Sequence, residues 1–169
     1  MPHLLPLRSV KLSKFISTFF YIGFLRPAPG TWGSIAGIVL AYLQLITIGF
    51  SVFCFILLLT ILIGFWSTKN YIKKNSDKSD PSEVVIDEVI GQWIAILPLG
   101  YMLDFDAFLS EDSWFVWFWA FFSFRFFDIV KLGLIGWADN LEGALGVLLD
   151  DIIAGIAAGV TVSVLVLMI

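Results

Sequence analysis

Residues Pro27–Thr68 read PAPGTWGSIAGIVLAYLQLITIGFSVFCFILLLTILIGFWST, 42 residues without a charge. As one straight helix the stretch is about 63 Å long at ~1.5 Å per residue. A bilayer's hydrocarbon core is only ~30 Å thick. The stretch must therefore fold back, and Ile48-Gly49-Phe50-Ser51 is the natural place for the turn. Spans are expected at about Gly33–Ile48 and Ser51–Ser67.

Composition agrees with this reading. Of 169 residues, 59% are hydrophobic and 14% are charged, against ~45–50% and ~25% in soluble domains. A soluble protein of this size has too much surface to hide that much apolar side chain. The net charge of −4 repels nucleic acid. One Cys, Cys54, makes no intrachain disulfide, and the one His, His3, leaves no internal imidazole for catalysis. Met1–Lys14 lacks the apolar core of a secretory signal.

After the second span, Lys69–Glu83 reads as a solvated loop, with Lys69, Lys73, Lys74, Asp77, Lys78, Asp80 and Pro81. Val89–Leu103, Ser113–Phe124 and Ile152–Ile169 are uncharged for 15, 12 and 18 residues. Each approaches the ~20 residues of a crossing only if charges at one end are admitted. Those charges are Asp87 and Glu88, Arg125 and Asp128, and Asp150 and Asp151, the last pair opening its helix. Lys11–Leu25 reads either as an interfacial amphipathic helix or as a short re-entrant piece of the bundle. The expected fold class is all-α, a polytopic membrane helix bundle of about four to five spans with an N-terminal interfacial helix. It forms a single domain over 1–169, with residues 1–28 as an N-terminal segment.

With five spans, all ten Lys and Arg residues fall on one side of the membrane. The positive-inside rule makes that side cytoplasmic. The four acids of Asp104–Asp112 lie on the other side and equal the net charge. The charged ends of spans three, four and five then share the cytoplasmic face with the start of span one, Pro29-Gly30-Thr31-Trp32-Gly33-Ser34. Charge at a membrane boundary costs free energy and calls for a function.

Asp87, Glu88, Asp128, Asp150 and Asp151, with Asp139 as a sixth candidate, would repel one another at low dielectric. Protons or a bound cation relieve that repulsion. Oxygen ligands without His or Cys suit Mg2+. Arg125 and Lys131 in the same layer call for an anion, so the set describes a phosphate-handling site. Thr31 or Ser34 caps span one, and the free N–H groups there suit a phosphate.

Blander readings stand beside these. A single Asp near a helix start is usually a cap or dipole partner. Arg125 and Asp128, three apart, also read as an intrahelical ion pair. Gly33/Gly37 and Gly155/Gly159 read as close helix packing, which leaves oligomeric state open. Trp114, Trp117 and Trp119 read as lipid-facing or interfacial anchors. Phospho-His chemistry and Cys-phosphatase chemistry are struck out by residue type. Asp104-Phe105-Asp106 lacks the Thr or Val of an aspartyl phosphatase motif and lies on the opposite face.

Four blocks resemble the bacterial phosphatidylglycerophosphatase A family. They are Pro29-Gly30-Thr31-x-Gly33-Ser34, Ile86-Asp87-Glu88-x-x-Gly91-x-Trp93-Ile94, Phe124-Arg125-x-x-Asp128-x-x-Lys131 and Gly143-x-x-Gly146-x-x-x-Asp150-Asp151-x-x-Ala154-Gly155. They lie within a matching core of residues 29–159. Two departures stand out: Lys131 is followed by Leu132-Gly133-Leu134-Ile135 without the family's Pro, and Gly143-Ala144 replaces a Gly pair.

The resemblance implies a Mg2+-dependent membrane enzyme. Such an enzyme hydrolyses the terminal phosphate of phosphatidylglycerophosphate to give phosphatidylglycerol, in phospholipid biosynthesis at the bacterial inner membrane. Asp87, Glu88, Asp150 and Asp151 would hold the metal, with Asp128 as a further ligand or a general base. Arg125 and Lys131 would neutralise the transferring phosphoryl, with Thr31 and Ser34 beside the phosphate. The competing functions are a cation or proton transporter and a scaffold with a structural divalent ion.

Overall fold

The computed structural model describes residues 7–74, 81–102 and 113–168. Among these, the chain forms seven α-helices and no strand. In chain order they are α1 (Leu7–Ser17), α2 (Pro29–Ile48), α3 (Phe50–Lys74), α4 (Ile86–Met102), α5 (Ser113–Val130), α6 (Leu134–Asp139) and α7 (Ala144–Val166), with a 3-10 turn at Ile22–Phe24. Helices α2, α3, α5 and α7 are long and apolar enough to cross a membrane. The expected turn between the first two spans is there, at Gly49 with φ 79°.

Helix α4 is the axis of the bundle. It is 17 residues, about 25 Å at ~1.5 Å per residue, and ten of those residues are buried. It packs on α2, α3 and α5, and most extensively on α7. Small residues allow the approach. Gly33 and Gly37 of α2 face Val85, Val89 and Gln92, while Gly155 and Gly159 of α7 face Gly91 and Ile94. Both glycine pairs thus serve packing within the chain. The Trp93 indole N–H donates to the Gly37 carbonyl at 2.8 Å, pinning α4 to α2. Trp93→Phe removes that buried bond and is expected to cost about 1 kcal/mol. A lower melting temperature in detergent checks it, and no change would show that the bond contributes nothing.

Several element boundaries differ from the sequence reading. Helix α2 starts at Pro29, not Gly33, because a proline ring is preset for the first helical position. Its N-cap is Ala28, without a side-chain bond. Thr31 and Ser34 are therefore not caps. They lie in the first two turns, and the Ser34 hydroxyl donates back to the Gly30 carbonyl at 2.9 Å. Helix α3 continues to Lys74, so Lys69, Lys73 and Lys74 belong to helix rather than loop. Cations there complement the negative end of the helix dipole. Residues 75–80 lie outside the described residues, as do His3 and the four acids of Asp104–Asp112.

Helix α7 starts at Ala144, after Gly143 turns the chain with φ 74°. Asp150 and Asp151 are its seventh and eighth residues and do not open it. Lys11–Leu25 is not one helix either. Phe19, Phe20 and Tyr21 all have positive φ, which ends α1 and leads into the 3-10 turn. Helix α1 docks on α3, and Ser13, Ser17 and Thr18 face inward, fully buried. Trp114 and Trp119 are exposed, but Trp117 is buried. Its ring meets Tyr42 of α2 edge-on, 5.6 Å between centroids.

Candidate active site

Five helix ends meet at one cleft of about 570 Å3. The first turn of α4 brings Asp87 and Glu88, and the last turns of α5 bring Arg125 and Asp128. Lys131 follows α5 with φ 51°. Helix α6 ends on Asp139, and the second turn of α7 brings Asp150 and Asp151. The start of α2 supplies Gly30 and Thr31. Of the nine site residues expected from sequence, Thr31, Asp87, Glu88, Arg125, Asp128, Lys131, Asp150 and Asp151 line this cleft. Ser34 lies behind the lining, with its Oγ 3.5 Å from an Arg125 Nη.

The acids stand close together. One oxygen each from Asp87, Glu88 and Asp151 lie within 4.8 Å of one another, and so do oxygens of Asp128, Asp150 and Asp151. Asp151 belongs to both groups. Asp87, Asp150 and Asp151 are buried, with Asp151 only 3% exposed. The backbone orients two of them: Asp87 accepts from the Glu88 N–H at 3.1 Å, and Asp150 from the Asp151 N–H at 3.0 Å. The buried Oε2 of Glu88 has no hydrogen-bond partner.

Seven lining residues are acids, Asp87, Glu88, Asp128, Asp139, Glu142, Asp150 and Asp151, and two are bases, Arg125 and Lys131. Both bases are already paired. Arg125 meets Asp128 at 2.6 Å, so the i, i+3 ion pair is present inside the site. Lys131 meets Asp150 at 2.9 Å and also pairs with Asp139. Burial works to lower the Lys131 pKa, but its bonds to Asp139 and Asp150 outweigh that and hold it above the usual lysine value. Lys131 therefore stays charged and ties the start and end of the α6 segment to α7.

The left-handed turn at Lys131 and Gly133 (φ 56°) carries the chain from α5 into α6. It forms without the proline that the sequence resemblance would place after Lys131. Gly30 answers to a close approach. A methyl there would overlap the Glu88 carboxylate and lie 3.2 Å from an Arg125 nitrogen.

The sequence reading held Asp139 only as a sixth candidate acid, and it passed over Gln92, which is buried outside the cleft lining. Asp139 does line the cleft, and it is the second partner of Lys131. Its signal was the Lys131–Asp139 spacing across a Gly-containing turn. Gln92 lies one turn beyond Glu88 on α4, fully buried, and neither amide atom has a hydrogen-bond partner. It was the one polar residue inside an apolar helix, and that was its signal.

This excess of carboxylate in a semi-enclosed cleft is stable only with protons or a bound cation. The donor set is all oxygen, and the unpartnered Glu88 Oε2 points the same way. Such donors fit a hard divalent ion.

Comparison with known proteins places this architecture. The profile of a family described as Phosphatidylglycerophosphatase A matches residues 15–166. A Phosphatidylglycerophosphatase A of Haemophilus influenzae is 33% identical over 93% of this chain and 92% of its own length. One from Escherichia coli K12 is 33% identical over 78% of this chain and 71% of its own. A Bacteroides thetaiotaomicron protein, provisionally named as a phosphatidylinositol-3-phosphatase, is 33% identical over 90% of this chain and 92% of its own. No solved structure matches significantly.

Proposed function

The chain belongs to the phosphatidylglycerophosphatase A family, and from that premise we propose that it hydrolyses the terminal phosphate monoester of phosphatidylglycerophosphate. The products are phosphatidylglycerol and inorganic phosphate, a step of phospholipid biosynthesis. The observation that carries this reading is the convergence of two carboxylate groups on Asp151 beside Arg125 and Lys131. The enzyme class is lipid phosphate monoester phosphatase.

Asp87, Glu88 and Asp151, with Asp128 and Asp150, are the residues that would hold Mg2+. When bound, the ion supplies Lewis acidity to the phosphoryl oxygens and lowers the pKa of a water ligand. The chain's own groups do the rest. Arg125 offsets charge developing on the phosphoryl oxygens, and Asp128 keeps its guanidinium aimed at the cleft. Lys131 adds a second positive charge to the lining. The first N–H groups of α2, beside Thr31, suit a phosphate oxygen. Asp128 is a further ligand or the base that takes a proton from the attacking water. Water's oxygen joins phosphorus as the ester P–O bond breaks, and the leaving alkoxide gains a proton.

The site lies on the cytoplasmic face of a bacterial inner membrane. Lys69, Lys73 and Lys74 close α3, and α1, with Lys11 and Lys14, docks on that helix. A headgroup tethered at the interface reaches such a cleft without leaving the bilayer. A transporter is not favoured. Along α2, α3, α4, α5 and α7, every ionisable Lys, Arg, Asp or Glu sits at a helix end or within two turns of the start of α7. Among the described residues, no charged path steps across.

Purified protein in detergent, given phosphatidylglycerophosphate, is expected to release phosphate with Mg2+. Chelation should slow release on the order of a hundredfold or more. Phosphatidylinositol 3-phosphate in parallel separates the two headgroups named for the relatives. No release from phosphatidylglycerophosphate with Mg2+ present overturns the proposal.

A further inference from the structure

Helices α2 and α5 enclose a second concavity, an apolar groove of about 290 Å3. Ile35 and Val39 line it from α2, and Trp114, Phe118 and Phe122 line it from α5. All of its lining side chains are aliphatic or aromatic. We propose that this groove seats one acyl chain of the lipid whose phosphate enters the cleft. The proposal rests on the phosphatase reading above.

Continuity is the first argument. The same two helices carry the phosphate-facing groups, and they touch where Arg125 reaches Ser34 at 3.5 Å. The groove begins next to that contact. Ile35 directly follows Ser34, and Phe122 lies one turn before Arg125. A lipid with its phosphate beside Arg125 has its glycerol above this opening.

Register is the second argument. Trp114, Phe118 and Phe122 are spaced by four, so they form one stripe along α5. Ile35 and Val39 form the facing stripe on α2. From Arg125 to Trp114 the helix descends eleven residues, about 16 Å. That is roughly half of a ~30 Å hydrocarbon core, the depth of one leaflet. At the far end Tyr42 stacks on Trp114, with centroids 5.8 Å apart, so an aromatic pair ends the groove. The stripes are half-exposed to the bilayer side, with Phe122 64% exposed, so a lipid enters laterally.

Val39→Trp fills the groove. It is expected to raise KM about tenfold for long-chain phosphatidylglycerophosphate, by displacing roughly two methylenes' worth of contact. The deacylated headgroup phosphate should be hydrolysed with unchanged kcat/KM. Leu62→Trp, on the exposed side of α3, should change neither. An unaltered KM in Val39→Trp, or equal losses on both substrates, overturns the proposal.

A second measurement uses the unmodified protein and needs no turnover. A long-chain lipid phosphate with a photoreactive group in its acyl chain should label the segments holding Val39 and Phe118. Excess unlabelled lipid phosphate should displace it, and phosphatidylcholine should not. Equal displacement by both overturns the groove assignment. Labelling with that selectivity but without phosphate release would instead sink the phosphatase reading and leave the lipid site standing.

Discussion

Asp151→Asn is expected to lower phosphate release by on the order of a thousandfold. Asp151 is the only residue common to both carboxylate groups, so removing its charge weakens both at once. Asn keeps the shape of the side chain, and one negative charge fewer relieves repulsion from Glu88, Asp128 and Asp150. The variant should therefore fold and insert normally. Without divalent ions its melting temperature in detergent should equal or exceed that of the parent. The parent should gain stability as Mg2+ is added, because a ligand bound only by the folded state raises its stability. The variant should lose most of that gain. Parent-like phosphate release would remove Asp151 from the mechanism, and an undiminished Mg2+ shift would remove it from the metal site.

Gly155→Ala is expected to damage both stability and activity. A methyl at Gly155 would overlap the Gly91 carbonyl and stand 3.0 Å from its Cα, backbone that cannot rotate away. Gly91 is equally tight, since a methyl there would lie 2.6 Å from the Asp151 carbonyl oxygen. Helices α4 and α7 therefore touch backbone to backbone within a turn of Glu88 and Asp151. Forcing them apart is expected to cost about 1–3 kcal/mol. A displacement of ~1 Å between acids on the two helices is expected to lower activity about a hundredfold. Gly159→Ala is the control. Its methyl would lie 3.4 Å from the Ile94 carbonyl oxygen, and small shifts can absorb that, so it should be near neutral. Melting temperatures and phosphate release of the two variants check this. A Gly155→Ala protein as stable and active as Gly159→Ala would refute the packing account.

The site was more legible than the helices that hold it. In so apolar a chain, each charge at a span end stands out, and the alternation of spans brings those ends to one face. Asp87, Glu88, Arg125, Asp128, Asp150 and Asp151 were found that way, and they do share one cleft. Depth was not legible. Asp150 and Asp151 read as a helix start, because nothing in the apolar run Leu145–Leu149 announces a helix upstream of the acids. Helix facing was not legible either. With apolar residues on every side of α5, the 3.6-residue rhythm vanishes, so Trp114, Trp117 and Trp119 looked alike. Both Trp114 and Trp117 meet Tyr42 of α2, yet only Trp117 is buried. Asp139 was a candidate acid, but its partner was hidden for a different reason. Its partnership with Lys131 depends on a left-handed turn that no residue type before Gly133 demands.

Helix α4 carries a consequence for biogenesis. It is short, bears two acids at its start and buries Gln92 without a partner. On its own it is a poor candidate for release into lipid. Its main neighbour, α7, is synthesised later, after α5 and α6. Until α7 is made, α4 lacks the neighbour on which it packs most extensively. The carboxylate cluster is therefore complete only once α7 is in place, because Asp150 and Asp151 arrive with that helix.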